Sequence, residues 1–139
     1  MLRKDYILRQ FEEFGKVLSL ILGFKKNKDW DQFEKEVAEA ALKFTSLEIS
    51  HVENLAEAAF ESEVIKSEKL TQEQKTILAS LLFEKMNYYI SIENQEQYRR
   101  LKKRCFDLYS YLKDNSTENE YNLDVHYKLE FLGKMEDHL

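Results

Sequence analysis

The sequence predicts an all-α fold, and three observations carry that prediction. The 139 residues contain no proline and only three glycines, so almost nothing interrupts regular backbone. A capping residue followed three positions later by glutamate or glutamine recurs at Asp29–Gln32, Ser50–Glu53, Thr71–Gln74, Asn94–Gln97 and Thr117–Glu120. In such a box the first side chain accepts from the backbone N–H three residues on, and the later side chain reaches back. After each box, apolar residues return at the three-to-four spacing of a helix face.

Six helices follow. The first, about Arg3 to Phe24, carries Ile7, Phe11, Phe14, Leu18 and Ile21 in one stripe. Val17, Leu20, Leu22 and Phe24 widen it, so its end should be covered by more than one neighbour. Lys25, Lys26 and Lys28 then stand where the helix dipole favours cations. The second helix, about Trp30 to Phe44, places Trp30, Phe33, Val37, Ala40, Ala41 and Phe44 on one face, and its short link to the first predicts an antiparallel hairpin. The third, about His51 to Lys66, has a narrow, alanine-rich stripe of Val52, Leu55, Ala56, Ala59 and Phe60. The fourth, about Gln72 to Ile92, shows Ile77, Leu78, Leu81, Leu82, Met86, Tyr89 and Ile92. The fifth, about Gln95 to Leu112, shows Tyr98, Leu101, Cys105, Leu108, Tyr109 and Leu112. After a turn at Asp114 to Ser116, the sixth presents Tyr121, Val125, Leu129 and Leu132 on one face and Leu123, Tyr127 and Phe131 on the next. No linker or low-complexity tract divides the chain, so one domain over 1–139 is expected. Leu18, Ile21, Trp30, Val37, Leu81, Leu101 and Cys105 are expected in its core.

The hairpins invite comparison with the tetratricopeptide repeat, whose period is about 34 residues. Leu20, Phe24, Trp30, Val37 and Ala40 match its order of large and small positions, and Tyr98 falls two periods after Trp30. A middle unit centred on Val64 puts Asn54, Ser67 and Thr71 at core positions, and the usual glycine is Ile21 in the first unit and Tyr89 in the last. The expectation is a short solenoid, tetratricopeptide-like in geometry but without a strict repeat. The opening Asp5-Tyr6-Ile7-Leu8-Arg9-Gln10-Phe11-Glu12-Glu13-Phe14 resembles a family of small uncharacterised bacterial proteins that begin with an Asp-Tyr-Ile motif in a long first helix. That resemblance extends loosely to about Leu112 and implies a bacterial cytoplasmic helical-repeat protein; it brings no functional residues.

Composition narrows the function classes. With 43% hydrophobic and 13% aromatic residues the chain can bury a core, and a formal charge of −5 argues against nucleic acid as partner. A single cysteine excludes an internal disulfide and suits a reducing cytoplasm. The most apolar window, Val17 to Phe24, is far shorter than the roughly 20 residues of a membrane span.

Catalytic chemistry finds little purchase. Glu48-Ile49-Ser50-His51 has the Glu-x-x-His spacing of di-iron bundles, but such sites need two motifs. No carboxylate lies three residues before His126 or His138, and Ser50 as a cap would aim Glu48 away. Cys105 follows Lys102, Lys103 and Arg104, which would lower a thiol pKa, yet it lies on the apolar stripe, where cysteine behaves as a small hydrophobe. No phosphate loop or nucleophile elbow is present. The expectation is therefore no catalytic residue, no metal and no cofactor.

Charge is unevenly distributed. Residues 1–28 hold seven basic and three acidic side chains, and 94–113 hold six and two. Residues 29–68 hold three basic and eleven acidic, and from Asp114 onward there are two and seven. Complementary pairing within the chain is one account; the other is a local site of Arg99, Arg100, Lys102, Lys103 and Arg104 on the fifth helix for an acidic peptide, a partner protein or phosphate. The candidate set for that site is Tyr88, Arg99, Arg100, Lys103, Arg104 and Tyr111, the two tyrosines because they fall off the apolar stripes. The reading is a non-catalytic protein- or peptide-binding module, with a small-ligand or metal-dependent helical-bundle enzyme as the alternative. Partner, oligomeric state and pathway leave no mark in the sequence.

Overall fold

The computed structural model describes the backbone of residues 3–115 and 121–135 and the side chains of 4–115 and 124–135. Among these residues the chain is helical, with no strand. The helices are α1 (Arg3–Lys26), α2 (Trp30–Thr45), α3 (Ile49–Glu53), α4 (Glu57–Phe60), α5 (Gln72–Ser91), α6 (Gln95–Asn115) and α7 (Tyr121–Lys134). A π-helical turn, Glu61–Ile65, continues α4. Helix α2 packs on α1 and on α5, α5 on α6, and α6 on α7.

Two hairpins share one turn. In each, a residue in the left-handed region closes the first helix: Lys28 (φ 57°) after α1 and Glu93 (φ 58°) after α5. The next amide reaches back five residues, Asp29 to the Phe24 carbonyl and Asn94 to the Tyr89 carbonyl, each at 2.9 Å. This is the Schellman closure, made without the usual glycine. The same Asp29 and Asn94 then cap α2 and α6 by accepting from the amides of Gln32 (3.4 Å) and Gln97 (3.2 Å). Counted from the turns, Phe33 and Tyr98, Ala40 and Cys105, and Phe44 and Tyr109 hold equivalent places, and all six are buried. The Thr71–Gln74 pair forms a complete capping box at the head of α5.

Helix α5 is the centre of the molecule. From Ile77 to Met86 every residue except Ser80 is buried, because α2 and α6 enclose the helix from two directions and α1 touches it. Its expected single stripe thus understates its burial, and Ile92, placed on that stripe, lies beyond the helix end and is exposed. Of the seven expected core residues, Ile21, Val37, Leu81, Leu101 and Cys105 are buried, while Leu18 and Trp30 are half-buried against the core. The end of α1 is less covered than its apolar run implied: Leu20 and Leu22 are exposed among the described residues.

The third expected helix is where sequence and structure part. Residues His51 to Lys66 are broken at Asn54–Ala56 and finish as a π turn, in which the Lys66 amide bonds the Glu61 carbonyl at 2.8 Å. Ser50 is no cap. Glu48 occupies that position, and Ser50 Oγ donates to Glu48 Oε1 at 3.0 Å. Glu53, the intended partner of Ser50, is drawn inward by Tyr89 and Lys85. The break survives because distant side chains satisfy its backbone: Arg104 Nη2 donates to the Leu55 carbonyl (3.4 Å) and Lys75 Nζ to the Ile65 carbonyl (2.7 Å). Asp114 and Asn115, expected in a turn, extend α6. On α7, Val125 and Leu132 are buried and Leu129 half-buried; Tyr127 is exposed, and Phe131 meets the Phe83 ring at 5.6 Å. Thr117–Glu120, His138 and the side chains of Tyr121 and Leu123 lie outside the described residues.

Candidate functional site

The basic residues expected to act together divide between two faces of α6. Arg99 lies on the outer face with Lys102, Lys103 and Phe106, a helical progression of three, four and seven residues. With Leu132 of α7 they line a shallow pocket of about 140 Å³. Phe106 is 43% exposed, while Leu132 is buried and forms the apolar base. Arg99 has no ion pair among the described residues. Lys102 Nζ donates to the Met135 carbonyl at 2.8 Å. Lys103 Nζ lies 2.9 Å from Asp107 Oδ1 and 3.7 Å from Glu57 Oε1. The hydrogen bond from Lys103 to Asp107 raises the Lys103 pKa, so this ammonium stays charged.

Arg100 and Arg104 turn the other way, toward the α3–α4 break. Arg100 Nη1 donates to Asn54 Oδ1 at 3.3 Å, and its other nitrogen stands 3.9 Å from Glu96. Arg104 is not a surface residue: it is 9% exposed, and its guanidinium lies 5.9 Å from the Phe60 ring centre. Its Nε is buried without a hydrogen-bond partner among the described residues. The helical register puts Arg104 one turn beyond Arg100, where the α3–α4 segment covers it, and this removes it from the groove.

The two tyrosines face inward as well. Tyr88 packs against Trp30 (5.2 Å), Phe33 (5.5 Å) and Tyr89 (5.2 Å). Burial, then its hydrogen bond to Glu34, pushes its pKa up to about 12. Tyr111 lies beneath Lys75, whose Nζ is 4.7 Å from the ring centre. Lys85 Nζ sits 5.0 and 5.2 Å from the rings of Tyr88 and Tyr89. Tyr88, Tyr89 and Tyr111 thus shelter two buried lysines of α5 with aromatic faces that partly replace their hydration.

Neither Glu48 nor His51 converges on a metal position. Glu48 bonds Ser50, and His51 Nε2 stands 3.5 Å from Glu63. Among the described residues no group of three or more histidine, cysteine, aspartate or glutamate side chains is placed to hold a metal ion. Cys105 is fully buried, and burial raises its thiol pKa, which suppresses thiolate despite the neighbouring cations.

Sequence reasoning found Arg99, Lys102 and Lys103 but missed Phe106 and Leu132. Phe106 could have been read from the spacing along α6; Leu132 arrives from a helix that pattern alone does not dock. No helix among the described residues is long and apolar enough to cross a membrane. Comparison with protein-family models, curated proteins and solved structures gives no match.

Proposed function

We propose that this chain is a non-catalytic helical module that binds an acidic, partly apolar segment of another protein in the groove between α6 and α7. The carrying observation is that Arg99, Lys102 and Lys103 surround an exposed phenylalanine above a buried leucine. An arginine fork and two ammonium groups offer charge-assisted hydrogen bonds to carboxylates, and Phe106 offers apolar area beside them. Within this reading the hairpins form one tetratricopeptide-like unit of a bacterial cytoplasmic protein. The binding set becomes Arg99, Lys102, Lys103 and Phe106; Tyr88, Arg104 and Tyr111 support the core instead, and Arg100 borders the α3–α4 break. Nucleic acid is disfavoured as partner by the net charge of −5.

The test is selection from a displayed random-peptide library on the immobilised chain, followed by affinity measurement. Enriched peptides should combine Asp or Glu with an apolar residue, bind less tightly as salt is added, and lose affinity to Arg99→Ala and Phe106→Ala. Peptides without acidic residues, or equal binding by both variants, would overturn the proposal.

A further inference from the structure

A second pocket lies on the α1–α2 hairpin and has a different composition. Tyr6, Arg9, Gln10 and Glu13 line it from one face of α1, at helical steps of three, four and seven residues. Lys43 and Phe44 line it from the end of α2. The opening measures about 150 Å³. That is below the roughly 300 Å³ at which drug-sized ligands are held, so the occupant is small. Phe44 is buried and braced edge-on by Phe14, with ring centres 5.5 Å apart, which makes the apolar base firm.

The cations of this pocket differ from several others on the chain. Lys25, Lys66, Lys85, Arg100 and Lys103 each stand within 4 Å of a carboxylate. Arg9 and Lys43 form no ion pair with any described residue, although Glu13 lines the same pocket; Lys43 Nζ rests 5.3 Å from the centre of the Phe44 ring. Two cations thus border one small opening from two helices without an ion-paired anion among the described residues. With Glu13 ionised, the lining carries a net single positive charge, which one carboxylate neutralises. The planar guanidinium of Arg9 suits a carboxylate through two parallel hydrogen bonds, while Tyr6 and Gln10 offer further donors and the Phe44 ring receives an apolar body.

We propose that this pocket binds a small organic carboxylate with a flat or apolar body, independently of the α6–α7 groove. The probe is sodium benzoate, added to the full-length chain while backbone amide resonances are followed by NMR. Sodium chloride at equal ionic strength and inorganic phosphate are the parallel arms. Benzoate should produce saturable shifts centred on residues 6–13 and 43–44, with chloride producing none that saturate. Arg9→Gln and Lys43→Gln should each weaken binding about tenfold, as loss of one charge-assisted hydrogen bond does, while Arg99→Gln leaves it unchanged. Should Arg9→Gln fail to fold, Lys43→Gln carries the comparison. Linear shifts equal to those with chloride, unchanged affinity in the folded variants, or saturation by phosphate without saturation by benzoate would each overturn the assignment.

Discussion

The Tyr89 phenol donates a 2.6 Å hydrogen bond to Glu53 Oε1, while Glu53 Oε2 lies 3.5 Å from Lys85 Nζ. Lys85 also donates to Glu34 Oε1 at 3.3 Å. One buried carboxylate therefore links α3 to α5, and the lysine extends the link to α2. Breaking such a pair leaves a buried charge uncompensated, which costs far more than the intact pair contributes. Lys85→Met should destabilise the fold by about 3–5 kcal/mol, and Glu53→Leu by less, because Glu34 still faces the lysine. The double variant should cost clearly less than the two added together. Urea unfolding of the three variants measures the coupling; strict additivity would show that the groups do not act as a pair.

The same phenols predict alkaline sensitivity. Burial and carboxylate hydrogen bonds raise the pKa of Tyr88 and Tyr89, and burial above all, with the nearby carboxylates of Asp124 and Glu84, raises Tyr109, above the ordinary 10.0. Above pH 10 the unfolded chain releases these protons while the folded chain keeps them, so unfolding becomes steadily more favourable. The contribution is fully present below pH 10 and is lost as pH rises through the folded-state values. Melting temperature should fall steeply above pH 10, less so in Tyr89→Phe. Absorbance at alkaline pH should show Tyr88, Tyr89 and Tyr109 titrating late.

Cys105 gives a chemical check on the packing of α6. Thiol reagents need an exposed thiolate, and this thiol is buried with a raised pKa. Labelling of the folded chain should be slow and should become fast in denaturant. Cys105→Ser places a hydroxyl where the thiol packed and should cost about 1–3 kcal/mol. Rapid stoichiometric labelling under native conditions would contradict the assigned burial.

Two apparently equivalent caps should behave differently. Thr71 Oγ1 accepts from the Gln74 amide at 3.1 Å, and Gln74 Oε1 accepts from the Thr71 amide at 3.0 Å. Gln74 Nε2 also donates to the Phe44 carbonyl at the end of α2. Thr71→Ala should therefore cost about 1 kcal/mol, the usual worth of a cap. Ser50→Ala should be within about 0.5 kcal/mol of wild type, because Ser50 is exposed and caps nothing. Equal losses in thermal denaturation would mean that Ser50 does act as a cap.

The contrast between Thr71 and Ser50 shows what the sequence could reveal. Asp29, Thr71 and Asn94 act through neighbours three residues away, so a local rule finds them. Ser50 fails because its partner Glu53 has stronger partners on α5, a choice made by tertiary packing. The break after Glu53 was illegible for the same reason: its backbone partner, Arg104, stands 49 residues away. Arg104 looked like a surface cation because five basic residues cluster within six positions there, and spacing alone does not say which face a later segment covers. The groove was half visible: α6 supplied the charges, but the apolar base comes from Leu132.

The dependence of residues 49–70 on α5 and α6 also fixes an order of assembly. The α1–α2 and α5–α6 hairpins close through contacts near in sequence, so each has a short search to its partner. The irregular stretch between them offers the Leu55 and Ile65 carbonyls to side chains that follow it in the chain, Arg104 and Lys75. As the polypeptide leaves the ribosome, that stretch emerges first and waits, its backbone hydrated, until the helices that complete it have been synthesised. Its hydrogen bonds at the Leu55 and Ile65 carbonyls therefore form only once α6 and α5 are in place.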